Sequence, residues 1–298
     1  MLAAMDRRTF LLATAALGTL GAPVGCKSKA QKQAEAAMPD LGRIEKLVSD
    51  RHVDSIARAL PIAAGALAAK IDKGLDVDQG KIVGAAFDEI RNKSEDLRSA
   101  KRSYYALADL NGDIVWVDDP NWVVVGRKLG VAFPEVKELL AGKKKYAAGA
   151  GRYGGADPEA LTLFEASPIL KGEAALGLLV SAWEVHEIAE DLQRQLQTDL
   201  AMKTVKPKVR AKPKDKYQLA LDTPDLWVAV FGKDYLWMQE GVPQQLEDGA
   251  KAIGLYAKTA GGPWSGTFDV LNRGWGAAAK RVAALGPDMG LAVLRNDP

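Results

Sequence analysis

One pattern occurs twice along these 298 residues, and it limits what the chain can become more than any other feature. In each copy two short β-rich runs flank a turn, a helical stretch follows, and then strand-like runs joined by turns. In the first copy, 104–110 (YYALADL) and 113–117 (DIVWV) meet at Asn111-Gly112. Asn-Gly between apolar runs predicts a hairpin with a type I′ turn, in which both central residues need positive φ. A short helix is expected over 134–141, a basic glycine-rich loop over 142–157, and strands over 161–169 and 175–184. The second copy places strands at 226–231 and 235–240 around Gly232-Lys233-Asp234. A helix over 243–258 and strands over 264–270, 274–284 and 289–295 follow. The recurrence is one of pattern, not of identical residues. It predicts an α+β chain with long N-terminal helices followed by two related modules, each built on an antiparallel sheet.

The helices are read from the 3.6-residue period. Leu41, Ile44, Leu47 and Val48 share one face, which predicts a helix over about 39–70 that Pro61 kinks or divides. A second helix is expected over 77–101 with Ile82, Ala85, Ala86, Ile90 and Leu97 inward, and a third over 185–202. Residues 203–216 (KTVKPKVRAKPKDK) hold seven basic residues, one acid and two prolines, the composition of a solvated linker. The expected organisation is therefore a removable segment at 1–25, a polar, Ala-rich tether at 26–38, helices plus first module at 39–202, the linker at 203–216 and a smaller second module at 217–298.

The first 25 residues stand apart from the fold. Arg7 and Arg8 precede about 15 uncharged residues, 10–24, rich in Leu, Ala and Gly. That run is short of the roughly 20 residues a membrane span requires and suits the apolar part of a signal peptide. Asp6-Arg7-Arg8-Thr9-Phe10-Leu11-Leu12 resembles a twin-arginine export signal, with Arg7, Arg8 and Phe10 at its key positions. Asp6 stands where Ser or Thr is usual. Pro23-Val24-Gly25-Cys26 resembles a bacterial lipobox, departing at Pro23, where Leu is usual. The resemblance implies that Cys26 is lipidated and becomes the mature N-terminus. Simple secretion with an unmodified Cys26 is the alternative. Cys26 is the only cysteine, so disulfides within the chain, Cys₄ zinc sites and thiol nucleophiles are excluded. With 40 Lys+Arg against 38 Asp+Glu, the near-neutral charge argues against nucleic acid as a partner.

Ala108-Asp109-Leu110-Asn111-Gly112-Asp113-Ile114-Val115, then Asp118-Asp119 and Val125-Gly126-Arg127-Lys128-Leu129, resemble the first hairpin of the Cache branch of the PAS-like sensor domains and its continuation. Residues 166–183 are similar to its closing hairpin. The resemblance is good over about 41–202 and weaker over 217–298. It implies two PAS-like modules outside the cytoplasm, and a pocket between the first sheet's concave face and its covering helix and loop. Tyr105, Trp116, Trp122, Phe133, Arg152 and Tyr153 are the expected lining. Aromatic walls with one guanidinium suit a small organic anion or an amino acid. The alternative reading, favoured for any one of these aromatics taken alone, is that it belongs to the core.

Catalytic and cofactor patterns are weak. Gly149, Gly151 and Gly154 match G-x-G-x-x-G but lack the strand-to-helix setting that a dinucleotide needs. Asp109, Asn111 and Asp113 begin like a calcium loop, yet Ile114 and Pro120 stand where Gly and Glu are required. The chain has only two histidines. His186 and Glu190 are four apart on one expected helix, which gives two metal ligands and no complete site. Neighbouring Asp118 and Asp119 face opposite ways on an extended segment and make a poor acid–base pair. No cofactor and no metal is expected.

Three function classes follow. The first is a lipid-anchored sensory or small-ligand-binding protein without enzymatic activity, facing the periplasm or the cell surface. The second is a scaffold lipoprotein that binds an envelope protein and no small ligand, and the third is an enzyme of unfamiliar type. The anchor is directly testable: Cys26→Ala should move the protein from the membrane to the soluble extracytoplasmic fraction. Retention of that variant on membranes in high salt would place the anchor elsewhere.

Overall fold

The computed structural model of the chain describes residues 27–154, 160–204, 225–270, 272–286 and 288–296. Arg7, Arg8, Phe10, Cys26 and most of the 203–216 segment lie outside these residues.

A helix system longer than expected opens the fold. It comprises α1 (Lys29–Lys46), a wide π turn (Leu47–Val53) and α2 (Asp54–Leu67), closing on a 3₁₀ turn (Ala68–Lys70). Ser28 caps the start reciprocally: its hydroxyl accepts from the Gln31 N–H at 3.2 Å, and its own N–H donates to the Gln31 side chain at 2.9 Å. Pro39 lies inside α1 instead of opening it, and Pro61 lies inside α2 without dividing it. The irregularity falls instead at the π turn. The expected tether is also corrected, because residues 29–38 are helical and bury Gln33, Ala34 and Ala37. An Ala-rich run, which resembles a tether in composition, is what lets a helix lie flush on a sheet.

Helices α3 (Val77–Lys93) and α4 (Glu95–Ser99) precede the first sheet. Its strands are β1 (Tyr104–Ala108), β2 (Ile114–Val117), β3 (Ala147–Arg152), β4 (Leu161–Lys171) and β5 (Ala174–Glu184), in the antiparallel order β2-β1-β5-β4-β3. The short helix α5 (Val136–Leu140) lies between β2 and β3, and α6 (Val185–Thr204) leaves the module. Helices α2 and α3 cover one face through Ile56, Leu60, Leu67, Val83, Phe87 and Leu107. The inward face of α3 is only partly the expected one: Ala86 and Ile90 pack against the core and Leu97, in α4, is buried, but Ile82 is 62% exposed and Ala85 is exposed, while Gly80, Val83, Gly84 and Phe87 are buried. Glycines carry that face because a Cβ on Gly84 would sit 2.2 Å from the Trp116 ring. The Asn111-Gly112 turn also differs from type I′, since only Gly112 adopts positive φ (79°). Asp109 sets it instead, accepting from the backbone N–H groups of Asn111 (2.8 Å) and Asp113 (2.9 Å).

The second sheet repeats the first. Strands β6 (Asp225–Phe231), β7 (Leu236–Met238), β8 (Trp264–Val270), β9 (Arg273–Arg281) and β10 (Gly290–Asn296) run in the order β7-β6-β10-β9-β8. Renumbered within the module, this is the order of the first sheet. Helices α7 (Gln244–Ile253) and α8 (Leu255–Lys258) cover one face and α1 the other. A shared core joins the modules, in which Leu163, Trp183 and Ile188 pack with Ile44, Val48, Val230 and Leu291. At this junction the Arg102 side chain is 2% exposed. It pairs with Glu165 and donates to Ser181 Oγ (2.7 Å) and the carbonyls of His52 and Lys101 (both 2.6 Å). His52, in the π turn, accepts from the Lys101 N–H at 3.1 Å. Burial first, then Arg102, Arg51 and Lys101, holds its imidazole down at about 3, so it is neutral.

The fit of α1 on the second sheet rests on Gly276, where a Cβ would lie 2.1 Å from the Ala34 backbone nitrogen. Gly276→Val should therefore cost about 1–3 kcal/mol, read as a lower urea midpoint. Gly65→Ala, on an exposed face of α2 with no atom near the new methyl, should instead stabilise by roughly 0.5–1 kcal/mol.

Candidate functional site

Strand alternation decides which aromatics can meet. On β1, Tyr105 and Leu107 point to the helices, and Tyr104, Ala106 and Ala108 point to the opposite face. That opposite face is roofed by the segment 118–146, which buries Val124, Leu129, Phe133, Val136 and Leu139 on it. The roof is pinned to the hairpin by backbone hydrogen bonds, from Ile114 N to the Arg127 carbonyl (3.0 Å) and from Leu129 N to the Gly112 carbonyl (2.8 Å). Asp118 and Asp119 serve the same loop. Asp118 accepts from Tyr105 N at 2.8 Å and pairs with Arg91, and Asp119 accepts from Asn121 N at 2.9 Å. The roof lies close to the edge strand because β3 is Ala and Gly: a Cβ on Gly151 would meet the Ala132 carbonyl oxygen at 2.1 Å. The glycines expected in a mobile loop thus belong to a strand.

A cage of rings results. Phe133 stacks on Phe164 (centroids 5.6 Å apart), Tyr153 meets the edge of Phe164 (5.4 Å), and Trp122 packs on Tyr104 (5.2 Å). The Arg127 guanidinium lies 4.2 Å from the Tyr153 ring centroid and donates to the Gly154 carbonyl at 2.6 Å. Three hydroxyls in the cage are buried without a hydrogen-bond partner among the described residues: Tyr104 (1% exposed), Tyr153 (3%) and Thr162 (0%). Burial pushes the Tyr153 phenol up to about 12, with Arg127 opposing and Asp113 adding. Tyr104 is raised further, again by burial first, with Tyr153 and Glu184 adding and Arg127 opposing. Glu184, buried and paired across the strands with Thr162, supplies the local carboxylate and lies 3.3 Å from His186 Nδ1.

Of the six expected lining residues, Trp122, Phe133 and Tyr153 come together here. Tyr105 and Trp116 do not, because they occupy the helix-covered face with Phe87, where the Tyr105 hydroxyl donates to the Leu97 carbonyl at 3.0 Å. Arg152 ends β3 with its side chain exposed, so the guanidinium of the cage is Arg127. The period-2 pattern that faces Tyr104 with Ala106 and Ala108 carried the signal for Tyr104, whereas nothing in the sequence marks Thr162 or Glu184. Glu190 pairs with Arg194 at 3.0 Å, not with His186. Among the described residues no group of three His, Cys, Asp or Glu side chains could hold a metal ion.

No protein-family model and no curated protein matches the sequence. Solved structures do share the fold. A domain of a Vibrio parahaemolyticus protein assigned to the sensory box/GGDEF family is similar with a TM-score of 0.56 and 10% identity, over 91% of this chain and 98% of that one. The extracellular domain of a protein assigned as a histidine kinase, vpHK1S-Z8, gives 0.56 and 10% over 90% and 92%. An extracellular ligand binding receptor from Desulfohalobium retbaense gives 0.52 and 12% over 87% of this chain, which spans only 40% of the receptor's length. At this level of identity the likeness establishes the fold: a long N-terminal helix bearing two five-stranded antiparallel sheets of the PAS/Cache type.

Proposed function

We propose that this chain is a lipid-anchored, extracytoplasmic sensory or small-ligand-binding protein, without enzymatic activity, whose ligand occupies the cage of the first module. The observation that carries this reading is the set of three buried hydroxyls that have no hydrogen-bond partner among the described residues, around one guanidinium. A buried polar group left unpaired costs about 1–3 kcal/mol, so three in one enclosure call for a polar guest. The Arg127 guanidinium suits a carboxylate, Glu184 could receive an ammonium group, and the surrounding rings suit a compact apolar body. A small organic anion or an amino acid has this chemistry. The shared fold with an extracellular ligand binding receptor and with the extracellular domain of a protein assigned as a histidine kinase supports the same reading. No helix among the described residues is long and apolar enough to cross a membrane, so in this reading Cys26 supplies the anchor.

A second reading, an envelope scaffold without a small ligand, draws support from the roof's outer surface. Val123 (75%), Val125 (49%) and Val131 (81%) are exposed there, as a protein-docking patch would be.

Two experiments separate the readings. In a thermal-shift screen of the full chain against amino acids, organic acids and amines, a carboxylate-bearing ligand should raise the melting temperature. Arg127→Lys should then weaken that ligand about 10- to 150-fold, the loss of a charge-assisted hydrogen bond worth about 1.5–3 kcal/mol. The second experiment needs no ligand. Because their hydroxyls have no partner among the described residues, Tyr104→Phe and Tyr153→Phe should leave the unliganded protein as stable as before, or more so. If both variants melt lower, the hydroxyls are structural, the cage is a packed core, and the scaffold reading takes its place.

A further inference from the structure

The two modules do not meet flush. On the junction face of the first sheet, β4 presents Leu163 and Glu165, and the edge strand β3 presents Ala150 and Ala148 opposite them. Both alanines are exposed. Side chains this short leave the outer end of that face unfilled. The second module closes over the gap with Tyr235, Met289 and the 3₁₀ turn Ala283–Leu285. A cleft of about 520 Å³ remains, within the roughly 300–1,000 Å³ that houses small organic ligands, and module interfaces are where such sites commonly form.

The charges of the cleft are unequal. Arg102 is on the floor, but its guanidinium is already committed to Glu165, Ser181 and two backbone carbonyls. Glu165 is likewise held by Arg102 and by the Tyr146 hydroxyl at 2.8 Å. Two further carboxylates line the cleft. Glu135 is half-buried beside Gly149 and accepts no hydrogen bond among the described residues. Asp288 is exposed and accepts from the Tyr256 hydroxyl at 2.7 Å. Arg102 is the one cationic side chain in the lining as described, set against three carboxylates. The walls are apolar and aromatic, with Leu161, Leu163, Trp183, Tyr235 and Met289.

We infer that this inter-module cleft is a second binding site, for an organic amine with an apolar body. The ammonium group pairs with the Glu135 carboxylate, which accepts no hydrogen bond among the described residues, and with Asp288, and the hydrocarbon part lies against Tyr235, Leu161 and Met289. An anion of the same shape meets these carboxylates, and the lining as described offers it no cation but the committed Arg102. The cleft adjoins the cage, since Phe164 borders both, but it differs from the cage in charge, with Glu135, Glu165 and Asp288 in its lining. The assignment does not depend on the cage holding a ligand.

Calorimetric titration of the full chain tests it with phenethylamine, hexylamine and hexyltrimethylammonium, against 2-phenylethanol and 3-phenylpropionate as uncharged and anionic shape controls. At least one amine should bind saturably at one site, the alcohol at least tenfold more weakly, and the carboxylate not at all. Ala148→Trp fills the cleft from an exposed strand position and should abolish amine binding without lowering the melting temperature. Ala284→Trp, which enters from the second module, should do the same and serves if the first variant folds poorly. Glu135→Gln should weaken the amine tenfold or more, and Gly65→Ala, on the exposed face of α2, should leave it unchanged. The inference is overturned if none of the three amines binds saturably, or if alcohol and amine bind equally. It is also overturned if amine binding survives both tryptophan variants.

Discussion

Arg102 is buried where the long helix, the first sheet and the second module converge, and its charge has to be satisfied there from within the protein. It takes the His52 carbonyl from the π turn, Ser181 from β5 and Glu165 from β4. Such a pair adds little net stability over a well-packed apolar substitute, but removing one partner strands the other at a cost of about 3–5 kcal/mol. Its effect is therefore positional. The helix can pass from the second sheet to the first only with the π turn presenting that carbonyl. The neutral His52 ring, packed 4.8 Å from Trp183, fits the same demand, since a second cation beside Arg102 would be expensive.

From that fixed point the two modules behave differently. The second is closed by backbone proximity, with α1 on Gly276 and Gln193 of α6 bonding the backbone of Leu226 and Val228 where the short β7 leaves β6 unpaired. The first keeps its polar groups inside. Tyr104, Tyr153 and Thr162 sit under a roof held mainly through backbone hydrogen bonds to one hairpin.

Much of this was legible in the sequence. Period-2 runs and turn residues located nine of the ten strands, because those signals arise within a few residues of chain. The errors came where a distant partner decides. Gly80 and Gly84 look like poor core residues until the Trp116 ring fills the space they leave, and Ile82 looks like a good one. β3 is all Ala, Gly and Arg, so it carries no β-branched or aromatic signal, and only its pairing with β4 makes it a strand. The same strand shows why Arg152 was a plausible site residue and Arg127 was passed over. A cation beside glycines is visible locally, whereas the approach of Arg127 to Tyr153 depends on how the intervening chain, with α5 and β3, folds back.

The reciprocal cap at Ser28 has a consequence for where the protein works. With a lipid on Cys26, only Lys27 and Ser28 separate the bilayer from a helix clamped on the second sheet. Two residues extend at most about 7 Å, so with that anchor the second module would stand on the headgroups without the freedom a leash would give. At about 1.5 Å per residue, α1, the π turn and α2 then set a ceiling of roughly 55–60 Å on how far the first module rises. The distance from the membrane at which this protein can sample its surroundings would be a built dimension, written into the length of one helix.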